Sequence, residues 1–223
     1  MANYYLKNAY YDIYTINRYF FENDKGKLIV QRKYGPTHDY CHYENTSGKC
    51  RDYFELASSG VIHLLKTLRD KYSLEYDKLA EYAILWLSYK LNMQKKRNFD
   101  KLNDFYTSYI VNNKCYDDKI KGNEDLTYKE IIDKKKDMMN MNIKEISKFN
   151  IPFYILFYLN YVFHDEYLPC KVYSGYAKRF ANDFEKLSKD SKNIEESLYN
   201  KILSTLSDDY NNFCNTSFLG NCL

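Results

Sequence analysis

Apolar residues in this chain recur mostly at three- and four-residue spacing, a helical period, and strand-like alternation is scarce. The run from Glu81 to Asn92 is the strongest case. Tyr82, Leu85, Trp86 and Tyr89 share one face, and Ala83, Ile84, Leu87 and Leu91 widen it. An apolar arc that broad needs neighbours on several sides, so this helix is expected to be the hub of the core. Residues 3–20 predict a first helix, with Leu6, Ala9, Tyr10, Ile13, Ile16 and Phe20 on one side. Ser58-Ser59-Gly60 precedes Val61, Ile62, Leu64, Leu65 and Leu68, which resembles an N-cap followed by an amphipathic helix. Further helices are predicted near 98–112 and 127–138, over the very apolar 143–163, and over 171–189 and 193–213. Residues 22–57 contain Gly26, Gly35, Pro36, Gly48 and two cysteines and are the least regular part, with Lys27 to Lys33 a candidate for extended backbone.

Composition supports an all-α class. Among 223 residues there are 7 Gly and 3 Pro, few enough helix breakers to favour a mostly helical fold. The expected architecture is a multi-helix, disulfide-stapled globular ectodomain with an irregular N-terminal loop region. Residues 1–57 form a divergent N-terminal helix and cysteine-containing loop and 58–223 a helical core, the two continuous as one domain. The 26 Tyr and 13 Phe are expected mainly at helix–helix contacts, with hydroxyls at the rim. Net charge is +3, from 33 basic and 30 acidic residues, too even a balance for the basic stripe that nucleic acid requires.

Cys41, Cys50, Cys115, Cys170, Cys214 and Cys222 are widely spaced and contain no Cys-x-x-Cys, a pattern that points to disulfides in an oxidising setting. Cys170 opens one predicted helix and Cys214 closes the next. If the two form an antiparallel hairpin, these cysteines lie side by side, making Cys170–Cys214 the leading pair. Closing that loop would stabilise the fold by roughly 4 kcal/mol in the chain-entropy model. Cys41 and Cys50 are placed to clamp the irregular loop, which leaves Cys115 for Cys222, and other connectivities stay open. Asn-x-Ser triplets begin at Asn45 and Asn215. Residues 1–20 lack the apolar core of a signal peptide. The best candidate for a membrane span, Ile151 to Phe163, is interrupted by Pro152 and Asn160 and falls short of the ~20 apolar residues a span needs.

Catalytic signatures are missing from the sequence. There is no Gly-x-Gly-x-x-Gly, P-loop, Gly-x-Ser-x-Gly or His-Glu-x-x-His. A metal-like cluster of His38, Cys41, His42 and Cys50 has the residue types for tetrahedral zinc, but its spacing matches no familiar zinc module and a disulfide loop explains the same cysteines. Cys115 or Cys170 with His63 or His164 is the candidate thiol–imidazole pair, and nothing in the flanking sequence activates either thiol. The carboxylates of Glu195-Glu196, Asp208-Asp209 and Asp117-Asp118 are adjacent in sequence and so diverge on a helix. No catalytic residue and no cofactor are expected.

Four fragments carry a resemblance. They are the run from Leu74 to Asn92, Leu102-Asn103-Asp104-Phe105-Tyr106, the run from Tyr128 to Phe149, and the run from Tyr199 to Tyr210. In this order they resemble the Plasmodium interspersed repeat (PIR) superfamily of variant malaria surface proteins, over roughly residues 58–214. The resemblance implies an α-helical, disulfide-stapled ectodomain, normally followed by a transmembrane helix and a short cytoplasmic tail. It also implies export to or near the infected red-cell surface, with roles in immune evasion and host interaction. The sequence stops shortly after Cys222, so membrane attachment is expected only through a C-terminal helix outside it. Residues 1–57 match poorly and residues 151–169 are unusually aromatic, which makes these stretches the expected sites of a specific partner. That partner would be a host cell-surface protein or an antibody, the domain itself being monomeric. A purely antigenic decoy without a receptor is the competing function, and a zinc or thiol enzyme a more distant one.

Overall fold

The computed structural model describes residues 2–20, 35–43, 48–94, 99–121, 126–165 and 170–216. Among these residues the regular structure is helical, with two isolated bridges, Lys101 to Asn142 and Lys119 to Thr127, tying loops together. None of these helices is long and apolar enough to cross a membrane. The chain divides into two compact units, residues 15–147 and residues 1–14 with 148–223. The boundary expected at residue 57 falls inside a helix and marks no break in the fold.

In the 15–147 unit, α2 (Tyr53–Tyr72) and α3 (Tyr76–Met93) form the central pair. Helix α2 starts because Asp52 caps it: its carboxylate accepts the N–H groups of Phe54 and Glu55 at 2.9 and 2.8 Å. Ser58, Ser59 and Gly60, expected as the cap, lie well inside the helix and are fully buried. Helix α2 ends at Ser73, whose left-handed conformation (φ 50°) lets its N–H reach the Arg69 carbonyl at 2.9 Å. Helix α3 is buried nearly all round. Tyr82 and Trp86 are fully buried, Leu85 is 1% exposed, and Tyr89 is half-buried. Four helices of the same unit supply the neighbours that so wide an apolar arc demands: α2, α5 (Tyr128–Asp133), α6 (Lys136–Met139) and α7 (Ile143–Ile146).

The segment expected to be helical near 98–112 is more tightly featured. One α-helical turn, α4 (Leu102–Phe105), continues as a π-helix over Tyr106–Ile110, closed by the Val111 N–H on the Tyr106 carbonyl at 3.0 Å. Helix α5 begins with a capping box. Thr127 Oγ1 accepts the Glu130 N–H at 3.1 Å and Glu130 accepts the Thr127 N–H at 2.8 Å.

The other unit is built from α1 (Ala2–Ile16), α8 (Asn150–Asp165), α9 (Cys170–Ser188) and α10 (Leu198–Thr216). Helices α9 and α10 are amphipathic. Tyr173, Ala177, Phe180 and Leu187 are buried along one, Tyr199, Ile202, Leu203, Leu206, Asp209 and Phe213 along the other. They pack antiparallel, as expected: Phe180 stacks on Tyr210 with ring centroids 4.0 Å apart, and the Tyr173 hydroxyl lies 3.5 Å from Cys214 Sγ. Helix α1 docks on α8 and α10 through rings, Tyr10 against Phe153 at 6.0 Å, and through a buried hydrogen bond from the Tyr10 hydroxyl to Asp209 at 2.7 Å. Asp208 is exposed while Asp209 is buried, the divergence that adjacent carboxylates on a helix must show.

Candidate functional site

Two surfaces, one in each unit, contain stretches expected from the sequence to meet a partner. In the 15–147 unit, residues 35–43 and 48–51 lie beside α2. Cys41 and Cys50 are joined by a disulfide, with Cα atoms 5.2 Å apart. Gly48 takes φ +69° within the closed loop, and its N–H bonds the Cys41 carbonyl at 3.1 Å, a conformation that glycine adopts without strain. Cys41 and Cys50 pack with Tyr43 and Leu56 as a small apolar cluster. From outside the loop, Asn113, only 1% exposed, holds it in place. Its amide donates to the Tyr40 carbonyl at 2.6 Å, while its oxygen accepts the N–H groups of His42 at 3.3 Å and Cys115 at 3.1 Å. Ser59 Oγ donates to the Thr37 carbonyl from within α2. The ends of the loop are thus fixed to the core by side chains that reach its backbone.

This arrangement overturns the zinc candidate. The sulfurs of Cys41 and Cys50 are bonded to each other and are no longer thiolates, the form in which cysteine binds zinc. His38 is buried and its Nδ1 accepts the Cys50 N–H at 3.3 Å, while His42 is exposed. Burial holds the His38 pKa below the usual imidazole value, so the ring stays neutral and keeps its acceptor. Among the described residues no group of three or more His, Cys, Asp or Glu is placed to hold a metal ion.

The π-helix makes a second bond set beside the loop. The Tyr109 carbonyl accepts from the Tyr43 hydroxyl at 3.0 Å and from Ser58 Oγ at 3.1 Å. Phe54, Phe99, Phe105 and Tyr109 complete an aromatic cluster, with Phe105 and Tyr109 stacked at 5.0 Å. Burial raises the pKa of Tyr43 well above that of a free phenol and that of Tyr109 to about 12, so both hydroxyls keep their protons at neutral pH.

In the other unit, the aromatic stretch expected as a partner surface is helix α8. Its Tyr154, Tyr158 and Tyr161 are half-buried and form a continuous row with Tyr11 and Tyr14 of α1 and Tyr176 of α9. Phe153, Ile155, Leu156 and Phe157 point the other way and are fully buried. The same helix therefore supplies core on one face and an accessible row of phenols on the other. Ile151 and Val172, 40% and 41% exposed, are apolar surface residues of these helices.

The remaining cysteines separate into what is described and what is not. Cys115 and Cys214 carry free thiols. Burial, with Asp118 adding to it, raises the Cys115 pKa to about 11, so its sulfur remains protonated at neutral pH and is a poor nucleophile. The hairpin that motivated Cys170–Cys214 is present, but Cys214 is unbonded and its sulfur faces the Tyr173 hydroxyl. The Cys170 side chain and all of Cys222 lie outside the described residues, as does the side chain of His164 and the stretch from Lys27 to Lys33. His63 is half-buried beside the Tyr40 ring at 6.4 Å, a rim position.

Sequence reasoning missed Asn113, Lys90 and the π-helix. Asn113 has a local signal, since its side chain caps the turn at Lys114–Asp117. Lys90 has none: an isolated lysine between Tyr89 and Leu91 looks solvated until the packing of Phe20 is known.

This helical fold with a disulfide-closed loop makes the chain a disulfide-bonded helical protein. Residues 10–221 match the family model described as Plasmodium variant antigen protein Cir/Yir/Bir. The chain belongs to that family. It is also similar to a solved structure titled "Structure of a Plasmodium PIR protein ectodomain", at 29% identity and a TM-score of 0.69, over 96% of this chain and 92% of that one. A comparison with curated proteins finds no match.

Proposed function

We propose that this variant-antigen ectodomain is displayed at or near the surface of the infected red cell, where it serves host interaction and immune evasion. The observation that supports this most is the half-exposed tyrosine row on α1, α8 and α9. Rings of this kind offer apolar area and a hydrogen-bonding tip at low entropic cost, which suits recognition of another protein. The Cys41–Cys50 bond is consistent with an oxidising, extracellular setting. The test is a screen of the purified ectodomain against host cell-surface proteins, with a Tyr154→Ser/Tyr158→Ser variant in parallel. A specific host protein bound by the parent and lost in the variant is the expected result. Binding only by antibodies from exposed hosts, with no host protein captured, would assign the domain to the decoy function instead.

A further inference from the structure

The tyrosine row carries a chemical consequence that is independent of any partner. Successive ring centroids along Tyr176, Tyr158, Tyr14, Tyr161 and Tyr11 are no more than 6.0 Å apart. The tightest contact is Tyr14 with Tyr161, at 4.0 Å and an interplanar angle of 27°; the other pairs in the row are at 4.9 Å or more. Both residues are half-buried, so solvent-borne reagents reach the pair while the helices hold it together. The register of α1 on α8 is set by two further ring contacts, Tyr10 on Phe153 and Tyr14 on Phe157, both at 6.0 Å.

We propose that Tyr14 and Tyr161 are an oxidative cross-linking site, which hydrogen peroxide acting through a haem peroxidase converts to dityrosine. Each phenol loses one electron and its hydroxyl proton to become a tyrosyl radical. The two radicals couple through a new carbon–carbon bond between ring positions ortho to the oxygens. Each ortho carbon then sheds its hydrogen as a proton and each oxygen regains one, restoring both phenols. The peroxide O–O bond breaks, taking up the two electrons and two protons to leave two molecules of water. A radical formed on an outer ring of the row reaches the pair by exchange between neighbouring phenols. The product is a covalent tie between α1 and α8.

The test uses the full chain at low concentration, treated with a haem peroxidase and hydrogen peroxide, then digested and analysed by mass spectrometry. The expected product is a monomer lighter by two hydrogen atoms, with dityrosine fluorescence, a peptide joining Tyr14 to Tyr161, and a raised thermal midpoint. Tyr161→Phe keeps the ring, so it is expected to fold normally, lose that peptide and lose most of the fluorescence; Tyr11→Phe is expected to keep both. Cross-links only between molecules, cross-links at other tyrosines in place of this pair, or undiminished fluorescence in Tyr161→Phe would overturn the proposal.

Discussion

Burial controls the charge of Lys90. Its side chain is 3% exposed and lies over the Phe20 ring at 4.3 Å, with Tyr89 and Trp86 at 5.8 and 5.9 Å. Loss of water pulls its pKa down from 10.5 to about 7. The unfolded chain keeps the ordinary value, so between pH 7 and 10.5 it binds more protons than the folded chain, and stability rises with pH through that window. Below pH 7 the cost of the buried amine is fully present, on the order of 5 kcal/mol before the aromatic faces offset part of it. Lys90→Met is therefore expected to be more stable than the parent at pH 7, with the gain shrinking as pH rises to 9. Denaturant unfolding of both proteins at the two pH values checks this; an equal gain at both would show that Lys90 is not the titrating group. His38, its pKa lowered below 6.5, titrates under this window, and Cys115, raised to about 11, opposes the trend only above its ordinary value of 9. The neighbouring Trp86 was legible as core because a large ring on a broad apolar arc has nowhere else to go. Lys90 was not, since its burial depends on Phe20, seventy residues earlier in the chain.

Gly60 of α2 lies directly against the Trp86 ring of α3. A Cβ there would lie 2.5 Å from Trp86 Cη2 and 3.2 Å from Phe20 Cζ. Gly60→Ala is expected to lower stability by about 2 kcal/mol despite the better helix propensity of alanine, because the crowded rings must move. Urea midpoints, followed by the fluorescence of the single Trp, measure it. At the irregular loop, Cys41→Ser/Cys50→Ser is expected to cost about 3 kcal/mol by releasing a short closed segment in the unfolded chain. Asn113→Ala is expected to cost about 2 kcal/mol, since it leaves the Tyr40 carbonyl and the His42 and Cys115 N–H groups without their partner. The long helices were legible from their period, but their ends less so. Ser58-Ser59-Gly60 has the composition of a cap, yet Asp52 serves, and the two serines instead donate to the Tyr109 and Thr37 carbonyls. The π-turn at Tyr106–Ile110 was invisible because one extra residue in a short helix barely disturbs the apolar spacing.

At the scale of the whole chain, the helical class and the family were legible, the first from periodicity and scarce helix breakers, the second from four ordered fragments. The division into units was not. Periodicity says which face of a helix is buried but not what covers it, and the pairing of residues 1–14 with 148–223 joins opposite ends of the chain. The tyrosines show the same limit. Their abundance was plain, but whether they line the core or an accessible row depends on how α1, α8 and α9 meet. The proposed role requires that this fold present those surfaces outside the cell that carries it. Antibodies raised against the folded ectodomain, applied to intact and to permeabilised infected red cells, test it most directly. Labelling of intact cells, removed by mild external protease, is the predicted result; labelling only after permeabilisation would contradict it.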